Sequence, residues 1–280
     1  MSKFHVTIVL LLMLAVGVTA AEWEKTADLG LVINQSGYSD SWAGSELGTL
    51  NWTFTGDITA KRPLSATTIW QNQLKLAYGK TRNQVITESG KEWAESEKAT
   101  DRVFLESLVK FSEGSYVNPY VAVTFESQFH DAADNMFNPS LLVESAGMGR
   151  TFLKNDATEV FSRLGFAYRQ RMSKGFDTIT DGGLEWVTDM SHVFNEQLKM
   201  VTKLRVFQAF TSSADDNLAA DDPTIDDWKT TDLAWETTLS ASVSKYIQTT
   251  LFWEVLYDKE IHTDSRWRDV FGVGVTYKLF

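Results

Sequence analysis

Most charged residues in the second half of the chain keep one parity within short segments. Glu159, Arg163, Arg169 and Arg171 share one parity, as do Glu185 with Asp189, Lys199 with Lys203 and Arg205, Asp232 with Glu236, Glu254 with Asp258, and Arg268 with Lys278. In a β-strand one parity is one face. Successive segments mostly alternate in sign, and opposite charges facing each other on neighbouring strands stabilise the pairing. An unpaired charge in a narrow interior is costly. Two outcomes fit: a structural network that fills or narrows an enclosed space, or a pore whose transverse field passes small polar solutes. A strongly ion-selective channel shows one dominant sign, and this pattern does not.

Other chemistry is sparse. Asp215, Asp216, Asp221, Asp222, Asp226 and Asp227 crowd one polar stretch. Six carboxylates either make a solvated acidic loop or recruit divalent cations. Their spacing departs from the Asp-x-Asp-x-Asp-Gly calcium loop. A lipid hydrolase on this scaffold would need a serine, a histidine and an orienting group. Past the N-terminal stretch the candidates are His130, His192 and His262, each read as a solvated or interfacial residue. There is no phosphate loop, dinucleotide fingerprint or zinc motif, so the expectation is a non-enzyme with no catalytic residues, cofactor or metal.

The elements that position these charges are strands. Leu50, Trp52, Phe54, Gly56, Ile58 and Ala60 alternate with Asn51, Thr53, Thr55, Asp57, Thr59 and Lys61, one face apolar and the other polar. Leu233 to Val243 and Ile247 to Tyr257 repeat the split. Twelve such segments are expected, near 27–35, 47–62, 66–80, 100–113, 117–130, 140–152, 158–172, 181–192, 195–211, 229–243, 246–259 and 268–280. Tight connections alternate with longer, polar ones, among them 37–46, where a helical turn is expected, and 259–267. A sandwich also alternates its faces, but has no reason to alternate its loops. The fold expected is therefore all-β, a transmembrane antiparallel up-and-down β-barrel of about twelve strands. Trp52, Trp70, Trp186, Trp235 and Trp253 fall on its lipid-facing register. Ser145, Gly147, Gly149 and Thr151 form either a flat small-residue oligomer face or a stripe that eases curvature.

Residues 1–20 carry Lys3, an apolar stretch from Val6 to Val18 broken by Thr7 and Gly17, and the small residues Val18-Thr19-Ala20-Ala21. That is the pattern of a cleaved signal peptide, leaving 21–280 as one barrel domain exported to the bacterial outer membrane. About thirteen apolar residues fall short of the roughly twenty a spanning helix needs. The chain has no cysteine and a formal charge of -11, which excludes a disulfide scaffold and, by bulk charge, nucleic-acid binding. The expected partners are outer-membrane lipid and the barrel insertion machinery, with small polar solutes or divalent cations beside them. The insertion signal is placed in Tyr277, Leu279 and Phe280: the apolar register ends on Tyr277 and Leu279, and Phe280 is out of step by one.

Some segments are familiar. Asn34-Gln35-Ser36-Gly37-Tyr38-Ser39-Asp40-Ser41-Trp42-Ala43-Gly44, then Leu74-Lys75-Leu76-Ala77-Tyr78-Gly79, Val243-Ser244-Lys245-Tyr246, Leu256-Tyr257-Asp258 and Val270 to Lys278 together resemble an uncharacterised, porin-like outer-membrane β-barrel family. The resemblance runs over nearly the whole exported part and implies location and fold. It lends no catalytic residues, because the family's activity is itself unassigned.

Overall fold

The computed structural model describes residues 22–39, 46–111, 116–214, 216 and 221–278, with side chains through Thr276. The expected signal peptide, residues 40–45 of the helical turn expected at 37–46, Asp215, Leu279, Phe280 and the side chain of Tyr277 lie outside them.

Thirteen strands follow one another: β1 (Glu24–Ser36), β2 (Thr49–Ser65), β3 (Thr68–Thr87), β4 (Gly90–Trp93), β5 (Glu97–Phe111), β6 (Asn118–Ser127), β7 (Ser140–Lys154), β8 (Thr158–Met172), β9 (Ile179–Val193), β10 (Leu198–Ser212), β11 (Asp232–Ser242), β12 (Ile247–Asp258) and β13 (His262–Lys278). Each pairs antiparallel with its sequence neighbour, except that β5 skips the short β4 to pair with β3. The last strand returns to the first, with Asp28 opposite Lys278 and Val32 opposite Gly274. The sheet is thus a closed twelve-stranded barrel, and β4 is a hairpin arm on β3 beyond the wall. Closure leaves no row of unpaired peptide groups, the condition a β-structure must meet in hydrocarbon.

Pairing fixes the two faces. Lys75, Phe104, Glu106, Arg163, Lys203 and Glu236 share the inner one. Leu31, Phe166, Phe271, Val273 and Val275 stand on the outer one, all exposed. Three lipid-register tryptophans use one device for the indole N–H. Trp70 Nε1 donates to Ser107 Oγ at 2.9 Å, Trp186 Nε1 to Ser162 Oγ at 2.8 Å and Trp235 Nε1 to Thr202 Oγ1 at 3.0 Å. Each acceptor lies on the neighbouring strand, so a donor that finds no water in a bilayer is satisfied within the wall.

One end of the barrel carries the start of β1, the end of β13 and tight turns at 66–67, 155–157, 194–197 and 243–246. Three of these turns are built alike. Asn155 Oδ1 accepts from the N–H of Ala157 and Thr158, Asn195 Oδ1 from Gln197 and Leu198, and Ser244 Oγ from Tyr246 and Ile247. A short polar side chain thereby closes the turn from within.

At the opposite, long-loop end two expectations are corrected. The expected loop at 81–99 is mostly strand, since β3 runs on to Thr87 and pairs with β4. The expected loop at 259–267 shrinks to 259–261 because β13 starts at His262. Both extensions are mostly polar, and their few apolar residues, Val85, Ile86 and Trp267, do not alternate, so they carry no period-2 signal once the wall leaves the apolar layer.

The stripe Ser145, Gly147, Gly149 and Thr151 does not face lipid. Its register partners Ala167, Gly165, Arg163 and Phe161 are inward-facing, so the oligomer-face alternative is overturned. The glycines exist for close approach. A Cβ on Gly147 would overlap the Leu164 carbonyl and the Gly165 Cα, and one on Gly149 would come 2.7 Å from the Phe161 ring. Gly147→Val is therefore expected to cost roughly 1–3 kcal/mol or to block closure. The urea midpoint of the refolded barrel, followed by the mobility difference between heated and unheated protein, checks this.

Candidate functional site

The lumen holds the chain's concentrated polar chemistry. Its centre is Phe104 on β5, 1% exposed, with the cationic heads of Lys75, Arg102, Lys203 and Arg205 between 5.3 and 5.8 Å from its ring centroid. A ring face attracts cations within about 6 Å. Four cations around one ring repel each other unless carboxylates intervene, and carboxylates do. Glu106 pairs with Arg163 and with Lys203 (3.1 Å), Glu236 with Lys75 and with Arg102 (2.8 Å), and Glu126 with Arg205. Glu254 takes Arg268 at 2.6 Å.

Most of these links do not run along the wall. β5 and β11 are half a circumference apart, so Arg102–Glu236 spans the lumen. Arg163–Glu106, Arg205–Glu126 and Arg169–Asp232 (2.6 Å) also connect non-adjacent strands. Lys203–Asp189 (3.0 Å), Arg171–Asp181 (2.9 Å) and Arg268–Glu254 join neighbours. The residues expected along the wall are gathered in this way, except Glu159, Lys199 and Glu185, which have no described ion pair, and Lys278, whose side chain lies outside the described residues. Lys199 is exposed at the short-turn end and Glu185 is buried.

Sequence reasoning missed Lys75, Arg102, Glu106, Glu126, Asp181 and Glu260. The signal was present in β5, where Arg102, Glu106 and Lys110 recur every fourth residue on the face that also carries Phe104 and Leu108. On that face charges alternate with Phe104 and Leu108, so neither a greasy nor a wet run marks it.

The filling is lopsided. Inward side chains from β5 to β10 are close-packed: Leu108, Tyr120, Ala122 and Phe161 form one buried cluster, and Val143, Ala167, Phe207 and Ala209 another. Arg169 lies 3.5 Å above the Phe207 ring. Facing them, the wall of β11–β13 and β1–β3 keeps its inner face wet. Thr55, on the inner face at mid-strand, is exposed, as are Asp28 nearer the short turns and Val270 nearer the long loops. Gln71, Gln73, Thr238, Ser240, Gln248 and Thr250 on this side are half-buried. Water-accessible space therefore runs off the axis along a lining of hydroxyls and amides.

The long-loop end is narrowed from above. Residues 221–231 before β11 pass through a 3₁₀ turn (Asp227–Lys229), which places Trp228, like Leu141, against the inward-facing Phe207 cluster. Lys259 Nζ holds Asp227 at 2.8 Å, and the same contact raises the lysine's pKa. The acidic stretch is thus no single ion cage. Asp227 is buried and paired, Asp226 binds Lys229 at 2.5 Å, and Asp222 accepts from the Thr224 N–H and hydroxyl. Among the described residues no three carboxylates or histidines gather as metal ligands.

Arg171 pins the same rim to Asp181, Asp258 and Glu260. A second knot closes the loop after β6, where Asn135 and Asn138 donate to Asp131 and hold its carboxyl well below the usual range. The histidines are spoken for locally: His130 Nδ1 lies 3.1 Å from Asp134, His192 Nδ1 2.7 Å from Thr158 Oγ1, and His262 Nδ1 accepts from the Asp264 N–H at 3.0 Å.

Removing one partner of a buried ion pair costs about 3–5 kcal/mol. Glu106→Gln, which strips the carboxylate from both Arg163 and Lys203, is expected to lower unfolding stability by that order. A chemical-denaturation midpoint reads it, and the Glu106→Met, Lys203→Met double variant is expected to recover part of the loss.

No curated protein matches the sequence. Among solved structures, an outer membrane channel from Pseudomonas putida F1 is 10% identical over 94% of this chain and 96% of its own, with a TM-score of 0.43. The NanC porin gives 10%, 91%, 100% and 0.43. The translocator domain of the autotransporter NalP from Neisseria meningitidis gives 10%, 98%, 94% and 0.36. At such scores these likenesses add nothing to a barrel that its own strand pairing already defines. The family match covers the familiar segments of the N-terminal half and stops short of those in the C-terminal half. Residues 33–132 match the family described as a protein of unknown function, DUF3078.

Proposed function

We propose that this barrel sits in the bacterial outer membrane, short turns toward the periplasm and long loops outside, and acts as a narrow, off-axis conduit for small polar solutes. The observation that carries this reading is the exposed Thr55, inward-facing at mid-strand while the opposite wall is filled. Eight strands are filled by their own side chains, whereas sixteen to eighteen leave a wide channel. Twelve strands with one half blocked leave a slot. Solutes there meet Thr, Ser and Gln side chains that exchange hydrogen bonds with a hydration shell. The large charges are spent on one another, which predicts weak discrimination between cations and anions. The outer apolar face meets membrane lipid, and β13, with Phe271, Val273 and Val275 pointing outward, is the strand offered to the insertion machinery.

A second reading, a structural barrel with a shut lumen, is favoured by the cross-lumen ion pairs and by Trp228 at the loop end. Planar-bilayer recording of the refolded full chain separates the two. The conduit gives small, steady steps with weak ion preference, and Thr55→Trp is expected to cut the step size by roughly half or more. Silence above the lipid background, with the barrel folded on gels, leaves the shut barrel.

A further inference from the structure

At the short-turn end the inner face of β2, β3 and β5–β8 forms a cavity of about 100 Å³ that opens outward at the exposed Thr151 and Lys154. Its volume is far above the ~10–15 Å³ that a single water needs. Lys61, Lys110 and Lys154 line it, with Glu159, Thr151 and Phe161. Its lining thus holds three lysines and one glutamate, in a chain whose formal charge is -11.

Among the described residues the three lysines have few close acidic partners, and Asp189 and Glu159 act on Lys110 only from beyond ion-pair distance. Among the described residues Lys110 has no carboxylate at ion-pair distance, and its ammonium instead lies 4.1 Å from the Phe161 ring centroid. The described ion pair of Lys61 is with Glu24, at 3.9 Å and with a glutamate side chain 78% exposed, a contact that screening reduces to almost nothing. Lys154 has no described ion pair and faces Glu159 across the β7–β8 register. Every other inward cation singled out above whose side chain is described, Lys199 at the rim aside, reaches an acidic partner; those around this cavity mostly do not. Walls of low polarity, here Phe161 and Ile69, strengthen the field of such a cluster.

We propose that this cavity is a binding site for a small oxyanion of phosphate or sulfate type. The Lys61, Lys110 and Lys154 ammonium groups supply the charge, and the Thr151 hydroxyl a neutral donor. Charge-assisted hydrogen bonds from several ammonium groups to one tetrahedral anion suit compact, multiply charged ligands over chloride. The site stands whether or not the lumen conducts.

Titration calorimetry on the refolded full chain in detergent at low ionic strength, with inorganic phosphate as probe, tests it. Saturable one-to-one binding is expected, displaced by sulfate and not by equimolar chloride. Lys110→Met is expected to weaken it by about tenfold or more, and the Lys61→Met, Lys110→Met double variant to abolish it. Lys61→Gln alone serves if Lys110→Met does not fold. Lys199→Met, at the same rim but outside the cavity, is expected to bind as the parent does. The proposal is overturned by no saturable phosphate binding to a parent protein shown folded by its gel mobility, by Lys61 and Lys110 variants that bind unchanged, or by an equal loss in Lys199→Met.

Discussion

Every other feature of this protein depends on the pairing of β1 with β13. A sheet placed in hydrocarbon cannot leave an edge, because each unpaired peptide group there costs several kcal/mol. The Asp28–Val32 run against Gly274–Lys278 removes that edge and turns a meander of neighbours into an enclosed wall. Once the wall is closed, period-2 alternation stops being a local property: one parity of every strand is committed to lipid and the other to a shared interior. Glycines at the seam follow from this. Val32 packs directly over Gly272 and Gly274, so the closing strands approach without side chains between them.

Enclosure also explains the arrangement of charge. A carboxylate facing a twelve-stranded interior has partners within reach on its neighbours and on the opposite wall, and the long, flexible Lys and Arg side chains of β3, β5, β8 and β10 extend to both. Buried ion pairs are weak evidence for net stability, yet each half depends strictly on the other. Phe104 gathers four cations whose mutual repulsion Glu106, Glu126 and Glu236 offset. The result is a rigid partition across one half of the lumen, beside a hydroxyl-lined slot whose walls need no partner because Thr and Gln are content with water. Around the cavity near Lys110 the cations outnumber the acids, and the partition logic breaks down there.

Much of this was legible in the chain. The alternation of Leu50 to Lys61 reports a wall with one wet side, and the expected strand at 158–172 is the observed β8 to the residue. The lipid-facing positions of Trp186, Trp235 and Trp253 follow from parity alone. The misreadings have physical causes. His262 to Arg266 and the end of β3 are mostly polar because they stand beyond the apolar layer, and the adjacent Val85 and Ile86 fall on opposite faces, so no period marks them as strand. Gly147 and Gly149 left a flat outer face open beside a curvature-easing stripe, because a missing side chain carries no parity signal.

What the sequence by itself determined was the alternation, the strand number and the two faces, since these are encoded within a few residues of one another. Which charges meet was decided only by the tertiary structure. Arg102 and Glu236 are 134 positions apart and share no local pattern. They pair because closure sets their strands across one narrow lumen. The slot beside Thr55, the inward turn of Trp228 and the unbalanced cations around Lys110 arise in the same way, from distances that exist only after the first strand has met the last.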